Sequence, residues 1–146
     1  MLITRESDYA LRILSALSGG DRLTAGEICK QELAPQQFGY KILKKLAKGG
    51  LVEITRGSEG GCRLCCDLQT VTLYDLMEIM EEDRRVSLCM ESSYICPRRQ
   101  KNNNHCTIHR NLAIIQTNLD QELKAHSIAE ILCTPEQPSE SFKLEP

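Results

Sequence analysis

Cys89, Cys96, Cys106 and His109 are separated by gaps of six, nine and two residues. Together they offer three thiolates and one imidazole. Such a set suits tetrahedral zinc. Thiolates, with an imidazole in place of one, also hold iron–sulfur clusters. Cys106 and His109 are three apart, so at the start of a helix they share a face and can grip one metal group. His105 is a competing imidazole, but it neighbours Cys106 and points off that face. A third reading leaves the thiols free in a loop. The stretch 83–104 has Pro97, the run Asn102 to Asn104 and few aliphatic residues. Ligand-rich, core-poor sequence of this kind fits a loop organised by a metal.

Cys62 and Cys65 have the Cys-x-x-Cys spacing of metal and redox sites, and Cys66 adjoins them. If 62–66 is a strand, Cys62 and Cys65 face opposite sides. They then serve as small hydrophobes of the strand. A thiol oxidoreductase also needs a strand–helix context that is absent here. Cys29 and Cys133 are expected to be buried apolar residues, and His126 a surface or dimer-seam residue. No paired carboxylates and no Ser-His-Asp arrangement stand out, so an enzyme is not expected.

These residues need elements to position them. The 146 residues amount to about one domain. Hydrophobic residues at 41% can fill a core, and aromatics at 4% make it aliphatic. No apolar run reaches the roughly 18 residues of a membrane span. The opening "MLITRESDYA" carries charges where a signal peptide needs an apolar stretch. The chain is therefore expected in the cytoplasm, where clustered Cys and His mean metal or redox chemistry more often than disulfides. Net charge is −2, but residues 1–66 carry +3 and residues 67–146 carry −5. A locally basic element on a mildly acidic protein points to a polyanionic partner.

Tyr9, Ala10, Ile13, Leu14 and Leu17 predict a helix over 5–18, ended by Gly19-Gly20. Thr24 and Glu27 form a capping-box pattern for a short second helix. Pro35 suits the first turn of a third helix, 35–48, with Phe38, Ile42, Leu43 and Leu46 on its buried face. "LVEITRGSEGGCRLCC" predicts two short strands around a glycine turn. Thr72 and Asp75 open a helix over 72–82. A long helix, about 105–132, carries the stripe Ile108, Leu112, Ile115, Leu119, Leu123, Ile128 and Ile131. One such helix cannot bury that stripe alone, so pairing with a second copy is expected. The Pro- and Glu-rich tail, 134–146, is expected to be disordered.

Two short helices, a basic third helix and a Gly-tipped hairpin make a winged helix-turn-helix. A helix fills the major groove, where base edges are distinguishable. Gln36, Gln37 and Tyr40 are the candidates for reading bases. Lys41, Lys44, Lys45 and Lys48 can neutralise phosphates. Arg56 at the wing can reach a minor groove, and glycines such as Gly57 allow close backbone approach. The competing reading is a lysine face that is merely solvated.

"MLITRESDYALRIL", "ILKKLAKGGLVEITRGSEGG" and the Cys–His loop resemble the Rrf-two family of bacterial transcription regulators. The resemblance runs over about residues 1–133. It implies a dimeric winged-helix protein with a long dimerisation helix. It places Gln37, Tyr40 and Lys41 at base-contacting positions and Arg56 at the wing arginine. Cys62 departs from it, because the family usually has an aromatic there. The resemblance also implies a cluster held by Cys89, Cys96, Cys106 and His109, and shifts the balance from zinc to iron–sulfur. His109 favours 2Fe–2S. Asp8 of a second chain, standing where one branch of the family takes a carboxylate ligand, keeps 4Fe–4S open. The gaps of six and nine exceed the family's usual five and five.

The expectation is thus a mainly α protein. Residues 1–66 form a winged helix-turn-helix, 67–104 a connecting helix and cysteine loop, and 105–133 a dimerisation helix. It would act as a homodimer on a double-stranded DNA operator, with no membrane and no small-molecule substrate. It would be a repressor sensing iron–sulfur status, redox or nitric oxide. The alternative is a regulator of the same fold with zinc or no metal, acting through a partner protein or thiol oxidation.

Overall fold

A computed structural model describes residues 3–80 and 83–133. The expected tail at 134–146 lies outside the described residues. Thr4 accepts the Glu6 N–H and starts α1, Arg5–Leu17. Ala10, Ile13, Leu14 and Leu17 recur at helical spacing and are fully buried. The Thr24–Glu27 capping box is formed and opens α2, Ala25–Gln31. The chain then turns through Leu33 at φ 52°, a left-handed conformation that costs a non-glycine residue about 1–2 kcal/mol. Pro35 caps α3, Gln36–Lys48, from just outside it.

Phe38, expected on the buried face of α3, is 45% exposed and stacks loosely near Tyr9, with ring centroids 6.2 Å apart. Gly39 takes the buried position instead. A Cβ on Gly39 would lie 2.2 Å from Cys29 Sγ. The close approach of α2 turns the α3 contact face toward the glycine and leaves Phe38 at its edge.

Strands β1, Val52–Thr55, and β2, Gly61–Leu64, pair antiparallel with Ile54 opposite Cys62. Cys65 and Cys66 fall beyond β2, although the Cys65 N–H still donates to the Leu51 carbonyl at 3.0 Å. Leu23 and Cys62 exchange two backbone hydrogen bonds, 3.0 and 2.7 Å, which tie the hairpin back to the entry of α2. The expected strand over 62–66 thus stops at Leu64, with Cys62 buried on it and Cys65 exposed beyond it.

The Thr72–Asp75 capping box opens α4, Leu73–Ile79. A single 3-10 turn covers Leu88–Met90, and α5 is Pro97–Lys101. The long helix expected at 105–132 is two helices, α6, Thr107–Ala125, and α7, Ile128–Leu132. A capping box between Ser127 and Glu130 restarts the helix. The break is held from both sides: Ile128 N–H donates to the Val71 carbonyl at 2.7 Å, and Leu73 N–H to the His126 carbonyl at 2.9 Å. Ile128 thereby joins one core cluster with Ile13, Leu14, Leu17, Leu43, Leu46, Leu76 and Met80. That core runs across residue 66. Cys29 is buried as expected, but Cys133 is exposed, because α7 presents its last turn to solvent. Among the described residues no helix is long and apolar enough to cross a membrane.

Candidate nucleic-acid interface and metal centre

Gln36, Gln37, Tyr40, Lys41, Lys44 and Lys48 are all exposed on α3. Their common face is free because Ile42, Leu43 and Leu46 turn the other way into the core. The four lysines do not share one environment. Lys45 Nζ lies 3.1 Å from Glu6 Oε2 and donates to the Met80 carbonyl at 3.0 Å. It bolts α3 to α1 and to the end of α4, so it is a structural lysine and not a surface phosphate contact. Lys41 Nζ meets the other Glu6 oxygen at 2.5 Å. Hydrogen bonds from Lys41, then Lys45, hold the Glu6 carboxyl below its ordinary pKa. Lys44 and Lys48 form no ion pair among the described residues.

Arg56 and Gly57 are exposed at the wing tip, with Gly57 at φ 112°. A Cβ on Gly60 would lie 2.4 Å from the Thr55 carbonyl oxygen, so the turn closes only around a glycine. Glu53, on β1, is held by Arg63 at 2.6 Å and Arg22 at 3.7 Å. Arg56 forms no ion pair among the described residues, and Glu59 is exposed in the same turn.

The cysteine loop begins with anchors to α6. Val86 N–H donates to Gln116 Oε1 at 2.8 Å, and Gln116 Nε2 donates to the Arg84 carbonyl at 3.1 Å. Arg84 also pairs with Glu78 and sits 4.1 Å over the Tyr74 ring. Cys89 lies on the 3-10 turn with its Sγ 3.3 Å from Ser87 Oγ. Cys96 is the residue before α5, and Cys106 the residue before α6. The asparagine run, given no role in the sequence analysis, supplies the turn between them. Asn103 and Asn104 take φ 51° and 66°, and asparagine tolerates this region better than most residues. That turn brings Cys106 and His109 to the start of α6.

Cys106 and His109 line one cavity of about 240 Å³ with His105, which neither Cys89 nor Cys96 lines. His109 Nδ1 is buried without a hydrogen-bond partner among the described residues, and its Nε2 lies 3.4 Å from Arg99 Nη1. Arg99 is a neighbour the sequence analysis missed. It is visible only as the second residue of an Arg-Arg pair in the loop. Among the described residues no three Cys, His, Asp or Glu side chains gather as a metal site. The structure thus brings Cys106 and His109 together and leaves Cys89 and Cys96 on the loop before them. All three cysteines are half-buried free thiols. Asp8 is engaged with Arg12 at 2.9 Å.

Residues 3–134 match the Rrf2 family, described as an iron-dependent transcriptional regulator. The chain belongs to the Rrf2 family. This Rrf2 regulator is 34% identical over 100 residues to the protein aau3 of Rhizobium meliloti (strain 1021). That match covers 66% of this chain and 65% of the relative, so it spans just under two thirds of the relative's length. Two solved structures share the fold. One is T. potens IscR, with TM-score 0.65 and 15% identity over 90% of this chain and 86% of that one. The other is CymR (YrzC), the global cysteine regulator of B. subtilis, with TM-score 0.64 and 16% identity over 90% and 96%. Rrf2 proteins are DNA-binding transcription regulators, typically dimeric. The three N-terminal helices followed by a two-stranded antiparallel hairpin are a winged helix.

Proposed function

We propose that this Rrf2 regulator is a homodimeric repressor whose loop senses iron–sulfur status, redox or nitric oxide through Cys89, Cys96, Cys106 and His109. The pairing of Cys106 with His109 on one cavity, with His109 Nδ1 buried and unpartnered, carries this reading. A soft thiolate and an imidazole on one wall are a donor pair for iron or zinc. Cys89 and Cys96 complete a four-donor set by closing the loop. When bound, an iron–sulfur cluster supplies redox-reactive chemistry. The Cys106-x-x-His109 spacing favours 2Fe–2S, while Asp8, in an exposed pair with Arg12, keeps 4Fe–4S open.

On the DNA side, α3 enters the major groove with Gln36, Gln37, Tyr40 and Lys41 toward base edges. Lys44 meets phosphate, and Arg56 and Gly57 of the wing approach the flanking groove. The exposed stripe of α6, with Ile108 at 54% and Ile115 at 53% exposure, pairs with its copy. The loop is bonded to Gln116 on that helix, so ordering the loop fixes α6 and hence the spacing of two recognition helices.

A second reading keeps the same fold with zinc or no metal, acting through a partner protein or thiol oxidation. The absence of a gathered four-donor set among the described residues favours it. Anaerobic purification with an optical spectrum and iron and sulfide analysis separates the two. Visible absorption with bound iron and sulfide, bleached in Cys96→Ala with far-UV dichroism intact, is the expected result. A colourless protein with stoichiometric zinc, or with no metal after reconstitution, sinks the cluster reading.

A further inference from the structure

A cavity of about 330 Å³ opens between the recognition helix and the wing. Ala25 of α2, Leu43 of α3, Ile54 of β1 and Cys62 of β2 give it an almost wholly apolar wall, with the Tyr40 ring alongside. Lys44 and Arg56 complete the lining, both exposed, and neither forms an ion pair among the described residues. No carboxylate lines the cavity, and Glu53, nearby on β1, is already held by Arg63 and Arg22.

We infer that this cavity binds a small organic monocarboxylate with a short-chain or single-ring apolar body. The volume lies at the lower end of small-ligand sites, about 300–1,000 Å³. An apolar body displaces water from the wall formed by Leu43, Ile54 and Cys62. The carboxylate meets Lys44 and Arg56, where charge-assisted hydrogen bonds orient it. A neutral ligand leaves both cations unpaired, and a purely polar anion gains nothing from the wall. Ile54 and Tyr40, 44% and 54% exposed, become covered on binding. The ligand occupies the two cations that the proposed DNA reading assigns to phosphate and to the flanking groove, so on that reading carboxylate and operator exclude each other.

The experiment is an amide NMR titration of the DNA-free protein with octanoate and benzoate, and with octanamide as the uncharged control. Saturable shifts are expected at Ala25, Tyr40, Leu43, Ile54 and Cys62. Octanamide should bind about tenfold or more weakly, the loss of one charged hydrogen bond. Cys62→Phe and Ala25→Leu both fill the cavity and should abolish the shifts; the second serves if the first does not fold. The inference is overturned if neither acid saturates, if octanamide matches octanoate, or if both filled variants bind undiminished. It is also overturned if the filled variants lose operator affinity in carboxylate-free buffer, since the cavity then seats DNA itself. Competition by operator duplex is measured separately. If carboxylate binds but duplex does not compete, the site stands and the DNA reading of α3 and the wing fails.

Discussion

Between Ala10 and Val52 the chain alternates buried aliphatic residues with exposed polar ones on every element. From Asp83 to Glu122 no residue is buried. The first region is fixed by a core it shares with Leu76, Met80 and Ile128. The second is held at its edges, by Gln116 on Val86 and Arg84, and by Arg85 on Asp83 and Glu91. A region with a core keeps one geometry, whereas a region without one takes its geometry from what binds to it. On the proposed function, winged domain and loop divide the work, one presenting a rigid surface and the other taking its position from a ligand or a second chain.

Breaking the core should have the largest effect. Leu46→Ala removes a fully buried side chain and should cost about 2–5 kcal/mol in urea unfolding. Ile95→Ala, at 68% exposure in the loop, should stay within about 0.5 kcal/mol. Equal costs at the two sites would erase the contrast. Gly39→Ala should follow at about 1–3 kcal/mol, since the added methyl collides with Cys29 Sγ.

Ile115→Glu tests whether the exposed face of α6 is completed by a copy. Sedimentation should show monomer, with thermal unfolding of the winged half retained. A dimer that survives places the interface elsewhere. Lys44→Ala should weaken binding to all DNA sequences and flatten the salt slope by about one unit. Lys45→Ala should leave that slope and lower stability instead, because Lys45 is bonded to Glu6 and Met80.

Glu6→Gln should cost only about 0.2–1 kcal/mol at neutral pH. The folded Glu6 carboxyl titrates below its ordinary value of 4.5. Its contribution is therefore present above that value and lost as pH falls through the lowered one. Wild type and Glu6→Gln should converge in stability at the acid end of a pH series.

Much of this was legible along the chain. Thr24 with Glu27 and Thr72 with Asp75 announce their helices, since a capping box needs only neighbours in sequence. Ser127 with Glu130 carries the same signal. It was hidden by a hydrophobic stripe that continues through Leu123 and Ile128 without showing that Ile128 joins the core cluster while Leu123 is buried outside it. Lys45 looks like its neighbours in composition, and only Glu6 and Met80, far away in sequence, set it apart. The ligand candidates were legible as residue types, while Arg99 beside His109 was not.

Short-range physics, then, was determined by the sequence itself: helix starts, the glycine turn at the wing, the apolar stripes, and a donor set of three thiolates and an imidazole. These depend on residues a few positions apart. The tertiary structure alone decided which lysine is structural, where the last helix breaks, that Gly39 and not Phe38 faces the core, and that Cys106 and His109 share a cavity. Each of those depends on a contact between residues distant in the chain, where packing and hydrogen bonding outweigh local preference.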